Sequence, residues 1–287
     1  MHRLPWSSAS QSITGIGFFS QAPETTAKLL EGAGVQRVVP LLYSLNGGSP
    51  CSPPIAYALF AGFALLDLAG RARRYPDVTG WRLKGTAFAL LYFALATYGP
   101  LFWDGWLGQY RLFAADALPL WQQVLGGFLA LELGIYAWHR TMHGRPFLWR
   151  WFHQMHHSAE RVDIWGALYF HPFDTLGFTM VGSLALVVGF GISAEAAIII
   201  NLAATFMGLF QHANLPTPHW LGYIIQRPES HNLHHERGVH ARNYGDLPLF
   251  DIIFRTFANP REVSNEVGFY EGGSKKLGPM LAGRLVS

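Results

Sequence analysis

The stretch from Leu176 to Phe210 contains one charged residue, Glu195. It is about twice as long as one bilayer crossing requires. Gly191-Ile192-Ser193-Ala194-Glu195 interrupts it near the middle with turn-forming and helix-starting residues. The spacing predicts a hairpin of two membrane helices. Three further apolar runs precede it: Ile55 to Ala69, broken only by Asp67, Thr86 to Trp103, and Ala117 to Trp138. Together they predict an all-α, multi-pass membrane bundle of four to five spanning helices. Composition agrees, with 50% hydrophobic, 15% aromatic and 14% charged residues, against about 25% charged in soluble domains.

The organisation expected is a polar N-terminal segment, residues 1–54, followed by one membrane-embedded domain, residues 55–287. The first segment has no apolar run long enough for a cleaved signal, and an amphipathic piece near Val35–Leu45 is its one structural feature. Basic residues orient the bundle. Arg71, Arg73, Arg74, Arg82 and Lys84 crowd the first connection, whereas Asp104–Asp116 holds only Arg111. This places the first loop, residues 139–175 and everything after 211 on the cytoplasmic side. The formal charge of +3 is spread without a basic patch, which argues against nucleic acid as a partner. One cysteine, Cys51, excludes a cysteine-ligated cluster or an internal disulfide.

Of 13 histidines, most fall in tight groups after residue 138. His139-x-x-x-His143 is followed by His153-x-x-His156-His157, and His231-x-x-His234-His235 repeats the latter spacing. His171 and His212 stand between them. Residues three and four apart share a helix face, so each group can aim two or three imidazoles at one point. Glu132 and Tyr136 continue the His139/His143 stripe, and Asn201, Thr205 and Gly208 continue that of His212. Polar groups on apolar helices face the bundle interior, so the two stripes predict a common polar centre. So many imidazoles exceed the coordination number of one ion and predict two. Iron is preferred because hydrolytic zinc sites usually add a carboxylate and a base such as HExxH, which is absent. The isolated His219 and His240 read as hydrogen-bonded core residues.

These motifs resemble the fatty acid hydroxylase superfamily, which includes the sterol desaturases. The elements that carry the resemblance lie between Glu132 and Phe257: Glu132-x-x-x-Tyr136-x-Trp138-His139-Arg140-x-x-His143, Phe152-His153-x-x-His156-His157-Ser158, His171-Pro172-x-Asp174, Gln211-His212-Ala213-Asn214, His231-x-x-His234-His235, Asn243-Tyr244-Gly245 and Asp251-x-x-Phe254-x-Thr256. Asp174 stands where many members have glutamate. Gly208 stands where acyl-CoA desaturases, a related histidine-box group, carry an asparagine ligand. The resemblance implies a four-helix membrane core under a cytosolic helical cap that holds two iron ions. The implied metal ligands are His139, His143, His153, His156, His157, His212, His231, His234 and His235, with His171 as a further candidate. Glu132, Tyr136, Asp174, Asn214 and Tyr244 would support them.

The function expected is O₂-dependent hydroxylation or desaturation of a C–H bond in a lipid-like substrate: a sterol, a fatty acyl chain or a related lipid. No haem, flavin or iron–sulfur module is recognisable, so electrons are expected from a separate ferredoxin, cytochrome or reductase. A membrane metal transporter and a metal-dependent lipid hydrolase are the competing readings. The compact chain, without an ER-retention signal, points to a bacterial inner membrane rather than the endoplasmic reticulum.

Overall fold

The computed structural model describes residues 52–69, 72–264 and 266–287. The polar segment up to residue 51 and the amphipathic piece near Val35–Leu45 lie outside them. Every apolar run read from the sequence within this range is helical. These are α1 (Ser52–Ala69), α2 (Trp81–Tyr98, extended by a 3-10 turn to Phe102), α3 (Leu120–Gly144), α4 (Pro172–Ser183, continued by a π-helical stretch to Phe190) and α5 (Ala194–His212). Among the described residues there is no strand, only an isolated bridge between Glu236 and Val267.

Among the described residues three helices are long and apolar enough to cross a bilayer: Trp81–Phe102, Pro172–Phe190 and Ala194–His212. The expectation of four to five spans therefore exceeds what length and hydropathy support. The apolar part of α1, Pro54–Ala69, rises only about 24 Å against a hydrocarbon core of about 30 Å. The 25 residues of α3 are long enough, but Gln122, Gln123, Glu132, His139, Arg140 and His143 make it too polar. Its polar side is turned inward: Gln123, Glu132, Tyr136 and His139 are buried, while Leu125, Leu133 and Trp121 face outward.

The turn between α4 and α5 follows from local chemistry. Gly191 has φ +59°, and a Cβ there would lie 2.3 Å from the Phe113 carbonyl oxygen, so glycine is required twice over. Ser193 then caps α5 by accepting from the Ala196 N–H at 3.3 Å, with Glu195 in the first turn. The antiparallel pair returns the chain to the level at which α4 began. As a result His171 before α4, His212 ending α5 and His139/His143 near the end of α3 gather at one end of the bundle.

Three apolar clusters are buried among the described residues, and two of them join the long helices to one another. Leu131, Leu186 and Ile200 join α3, the π-helical end of α4, and α5. Phe63, Ala89, Phe93, Leu168 and Leu209 join α1, α2 and α5 to the irregular segment 158–171. That segment belongs to a cap, built from residues 145–171 and 213–287, over the histidine end. Trp81 donates to Asp163 at 2.9 Å, Asp163 also pairs with Arg161, and Asn214 makes two hydrogen bonds with the Arg73 backbone.

At Gly85 the α2 backbone passes so close to the cap that an added Cβ would sit 2.1 Å from the Trp165 carbonyl oxygen. A backbone oxygen cannot swing aside. Gly85→Ala is expected to destabilise the protein by about 1–3 kcal/mol. The control Gly62→Ala, with open space around its Cβ, is expected to be neutral or slightly stabilising. Thermal unfolding in detergent distinguishes the two.

Candidate metal centre

The three i, i+4 histidine pairs each sit on one helical face. His139 and His143 occupy the last turns of α3. A π-helical turn, Trp149–His153, feeds the short helix Gln154–His157, which supplies His156 and His157. Such π-turns recur at functional sites because they re-aim side chains. Helix α6 (Pro228–His234) carries His231 and His234, with His235 at its C-cap.

These nine residues form two groups. His139, His143, His153, His157 and His234 bring one ring nitrogen each within 4.8 Å of the others, and His156, His212, His231 and His235 do the same. Each HxxHH motif is divided between the groups. The i, i+4 members 153/157 and 231/235 stay together, and the intervening 156 and 234 cross over. The groups touch, with the His157 and His235 rings stacked at 4.1 Å.

Hydrogen bonding at the outer nitrogens fixes what the inner ones present. Three Nδ1 atoms meet backbone carbonyls: His139 at Tyr244 (2.8 Å), His234 at Arg242 (2.7 Å) and His212 at Gly208 (2.7 Å). A carbonyl only accepts, so each Nδ1 carries the proton and each neutral ring presents a lone pair at Nε2. The His139 and His234 Nε2 atoms are nevertheless 3.1 Å apart. Two lone pairs facing each other at that distance repel unless a cation lies between them. The same spacing recurs for His153–His139 (2.9 Å), His212–His156 (3.1 Å), His231–His212 (2.9 Å) and His235–His231 (3.0 Å). Metal–imidazole bonds of about 2.0–2.1 Å put right-angle neighbours about 3.0 Å apart. The His143 and His157 Nε2 atoms are buried without any hydrogen-bond partner. Burial first, and then neighbouring imidazoles, hold His153, His156, His157, His231, His234 and His235 well below the usual histidine value. The rings are thus neutral, the form that binds metal. The donor set fits two metal ions.

The residues expected to support the ligands divide. The Asp174 carboxylate accepts from His153 Nδ1 at 2.7 Å, and Tyr244 supplies the carbonyl for His139 and packs edge-on or tilted against the His139, His143 and His234 rings. Three others have their hydrogen bonds elsewhere. Glu132 Oε2 accepts from the Leu247 N–H at 2.9 Å. The Tyr136 hydroxyl bonds Thr256 and accepts from Arg140. Asn214 is occupied by the Arg73 backbone. The α3 stripe is one face, but that face is longer than the metal centre, and its lower part meets the 244–257 loop instead. His171 joins neither group: its Nδ1 accepts from the Phe173 N–H and caps α4. Asp251 accepts from the Tyr244 and Gly245 N–H groups and Thr256. Asp246 accepts from Gln211 and is pushed up to about 7 by burial.

His240, read from the sequence as a hydrogen-bonded residue, has a histidine of the five-histidine group as its partner. Its Nδ1 lies 3.1 Å from His157 Nδ1, on the outer side of that ring. Its φ of +38° is set by the loop fold, and no spacing in the sequence signals it. His219, by contrast, bonds the Asn259 carbonyl as a core residue does. The aromatic packing at Trp149, 5.0 Å from His143 and 5.2 Å from His157, and at Phe170, 4.4 Å from His156, encloses the centre.

A cavity of about 470 Å³ opens onto both histidine groups, reaching His139, His153, His156, His212 and His231. It runs between the helices along α5 from Ala194 to Gly208, a rise of about 21 Å. Its walls are mostly apolar, with Phe93, Ile135, Phe178, Leu186 and Ile198 among them.

A helical membrane bundle with two buried polyhistidine groups at one end defines a class, and comparison with known proteins gives it a name. Residues 124–256 match the model of the fatty acid hydroxylase family, which is what this part of the chain is similar to. It is 32% identical over 167 residues to the ornithine lipid hydroxylase OlsE of Rhizobium tropici, covering 56% of this chain and 50% of the relative. It is 29% identical over 163 residues to sphinganine C4-monooxygenase 1 of Arabidopsis thaliana (55% and 63%) and 26% identical over 143 residues to the sphingolipid C4-hydroxylase sur2 of Schizosaccharomyces pombe (48% and 49%). The chain thus spans about half to three-fifths of the length of these relatives. No solved structure matches it. With its three apolar helices and these relatives, the chain is an integral membrane protein.

Asp174 and His171 separate support of the centre from support of the fold. Asp174→Ala is expected to lower metal affinity about 10–100-fold, as loss of a ligand's outer partner does. His171→Ala is expected to leave metal content unchanged and cost about 1 kcal/mol through the lost cap. Metal titration and thermal unfolding read the two effects.

Proposed function

We propose that the chain is a membrane-bound, O₂-dependent diiron hydroxylase or desaturase acting on a C–H bond of a lipid-like substrate. The observation that carries this reading is the pairing of inward-facing imidazole lone pairs, about 3 Å apart, with an apolar cavity between membrane helices. In this reading His139, His143, His153, His157 and His234 hold one iron, and His156, His212, His231 and His235 hold the other. When bound, the two irons would supply the power to reduce O₂ and take hydrogen from an unactivated carbon.

The chain's own contribution is position and shelter. The cavity admits an extended apolar chain and aims it at both histidine groups. The four-histidine group offers fewer ligands than the five-histidine group, and Gly208, whose missing side chain leaves open space, widens the cavity beside it. Trp149 and Phe170 exclude water from the ring cluster, which keeps the imidazoles neutral and the local dielectric low. Tyr244, Arg242, Gly208 and Asp174 lock ring tautomers so that no proton competes with the metal.

The printed names of the relatives, an ornithine lipid hydroxylase and two sphingoid hydroxylases, favour a polar membrane lipid as substrate. Electrons would come from a separate ferredoxin, cytochrome or reductase, and the arginine-rich loops favour a cytoplasmic histidine end, in a bacterial inner membrane. A transporter is disfavoured because the imidazoles close around two points at one end rather than lining a midplane path. A lipid hydrolase would need a general base at the metals, and neither Glu132 nor Glu236 makes a hydrogen bond to a histidine of the two groups.

The purified protein is expected to hold two irons per chain. His234→Ala and His156→Ala, one from each group, are each expected to lower iron content and to abolish oxidised lipid in expressing cells, read by mass spectrometry. Product that forms equally without O₂, or zinc alone in the active protein, would overturn the assignment.

A further inference from the structure

Two short segments of the cap expose large apolar side chains that no part of the described chain covers. One is the 3-10 turn His219–Tyr223, with Trp220 62%, Tyr223 58% and the following Ile224 60% exposed. The other is α7 (Pro248–Ile253), with Ile252 and Ile253 outward and Phe254 after them. They are fastened into one ridge. His219 Nε2 bonds the Asn259 carbonyl at 3.0 Å, Asn259 Nδ2 donates to the His219 carbonyl at 2.9 Å, and the Tyr223 and Phe257 rings meet at 5.7 Å. Neither segment presents a charge. From Leu215 to Gln226 there is no Asp, Glu, Lys or Arg, and from Leu247 to Phe254 the one charged residue, Asp251, is buried with both oxygens accepting hydrogen bonds.

The level of this ridge can be read against α3. Leu247, just before α7, donates to Glu132 at 2.9 Å, and Phe254, just after it, stacks on Tyr136 at 5.1 Å. The outer face of α3 is apolar at Leu133 and Ala137 and first becomes charged one turn later at Arg140, which is exposed and reaches back to the Tyr136 hydroxyl at 2.8 Å. Arginines beside an apolar helix face mark the edge of the hydrocarbon, where they snorkel to the headgroups. The ridge therefore lies on the apolar side of that edge. Arg255 and Arg261, both exposed, border it as anionic headgroups would favour.

We infer that this ridge, Trp220–Ile224 with Leu249–Phe254, is a membrane-docking surface seated in the acyl–headgroup boundary of the leaflet at the histidine end. Its occupant is lipid, continuous with the lipid around α3. Trp and Tyr suit that depth because their rings are apolar and their edges polar. The ridge also borders the cavity, since Asp246, which lines it beside Gln211, immediately precedes Leu247. The inference rests on membrane placement alone and not on the identity of any metal or substrate.

The test uses the full chain in nanodiscs of phosphatidylcholine with anionic phosphatidylglycerol. Cys51, the single cysteine, is replaced (Cys51→Ser), and Ile253→Cys or Tyr223→Cys carries an environment-sensitive fluorophore, with Arg237→Cys as an exposed control. At both ridge positions the expected result is blue-shifted emission, strong quenching by lipid bearing a shallow nitroxide, and little quenching by aqueous iodide. Emission and iodide quenching equal to those of the control would overturn the proposal. So would blue-shifted emission without lipid quenching, which would assign the ridge to a second copy or another protein. Metal content of each labelled variant confirms that it is folded, and two positions on separate limbs guard against one that is not. Loss of the ridge signal with intact metal content refutes docking alone, and absence of iron with intact quenching refutes only the diiron reading.

Discussion

Neutral imidazoles whose outer nitrogens are committed to carbonyls can only present lone pairs inward, and lone pairs do not pack against one another. Three of the nine gathered rings are of this kind, and much of this structure serves to hold them and the other six in that unfavourable arrangement. The Tyr244, Arg242 and Gly208 carbonyls fix three tautomers, and Asp174 anchors a fourth ring. Without cations the centre is a set of repulsions in a low-dielectric interior. With cations it would become a tight coordination shell, and metal binding would be coupled to folding of the cap.

The membrane sets the second constraint. A polar centre this large is tolerated in a helical bundle only if it lies at the helix ends or is sealed from lipid. The chain does both. The polar stripe of α3 is turned inward along its whole length, with its lower part paired to the 244–257 loop rather than to the histidines. The cost to α3 is visible in its polarity, which removes it from the helices that length and hydropathy alone would send across a bilayer.

The cavity connects the two constraints. The α4–α5 hairpin, closed by Gly191, returns the chain to the histidine end and leaves an apolar space that begins at the turn and finishes at the rings. Gly208 leaves room beside His212 where a larger side chain would intrude.

The sequence by itself determined the helices, the hairpin turn and which histidines share a helix face, because these depend on local quantities: apolar length, glycine and capping residues, and the i, i+4 period of a helix. It could not determine how the nine histidines divide. His156 and His234 part from their own motifs because the π-turn at Trp149–His153 and the approach of α6 decide which ring nitrogens meet, and both arise from packing between distant segments. For the same reason Glu132 and Tyr136, in register with His139 and His143, and Asn214, just beyond the end of α5, were drawn to other partners. His171 became a cap because Pro172 starts α4 directly beneath it, and His240, alone in its loop, was carried to His157 by a backbone fold that no spacing encodes. Periodicity fixes which residues share a face, and only tertiary packing decides what that face meets.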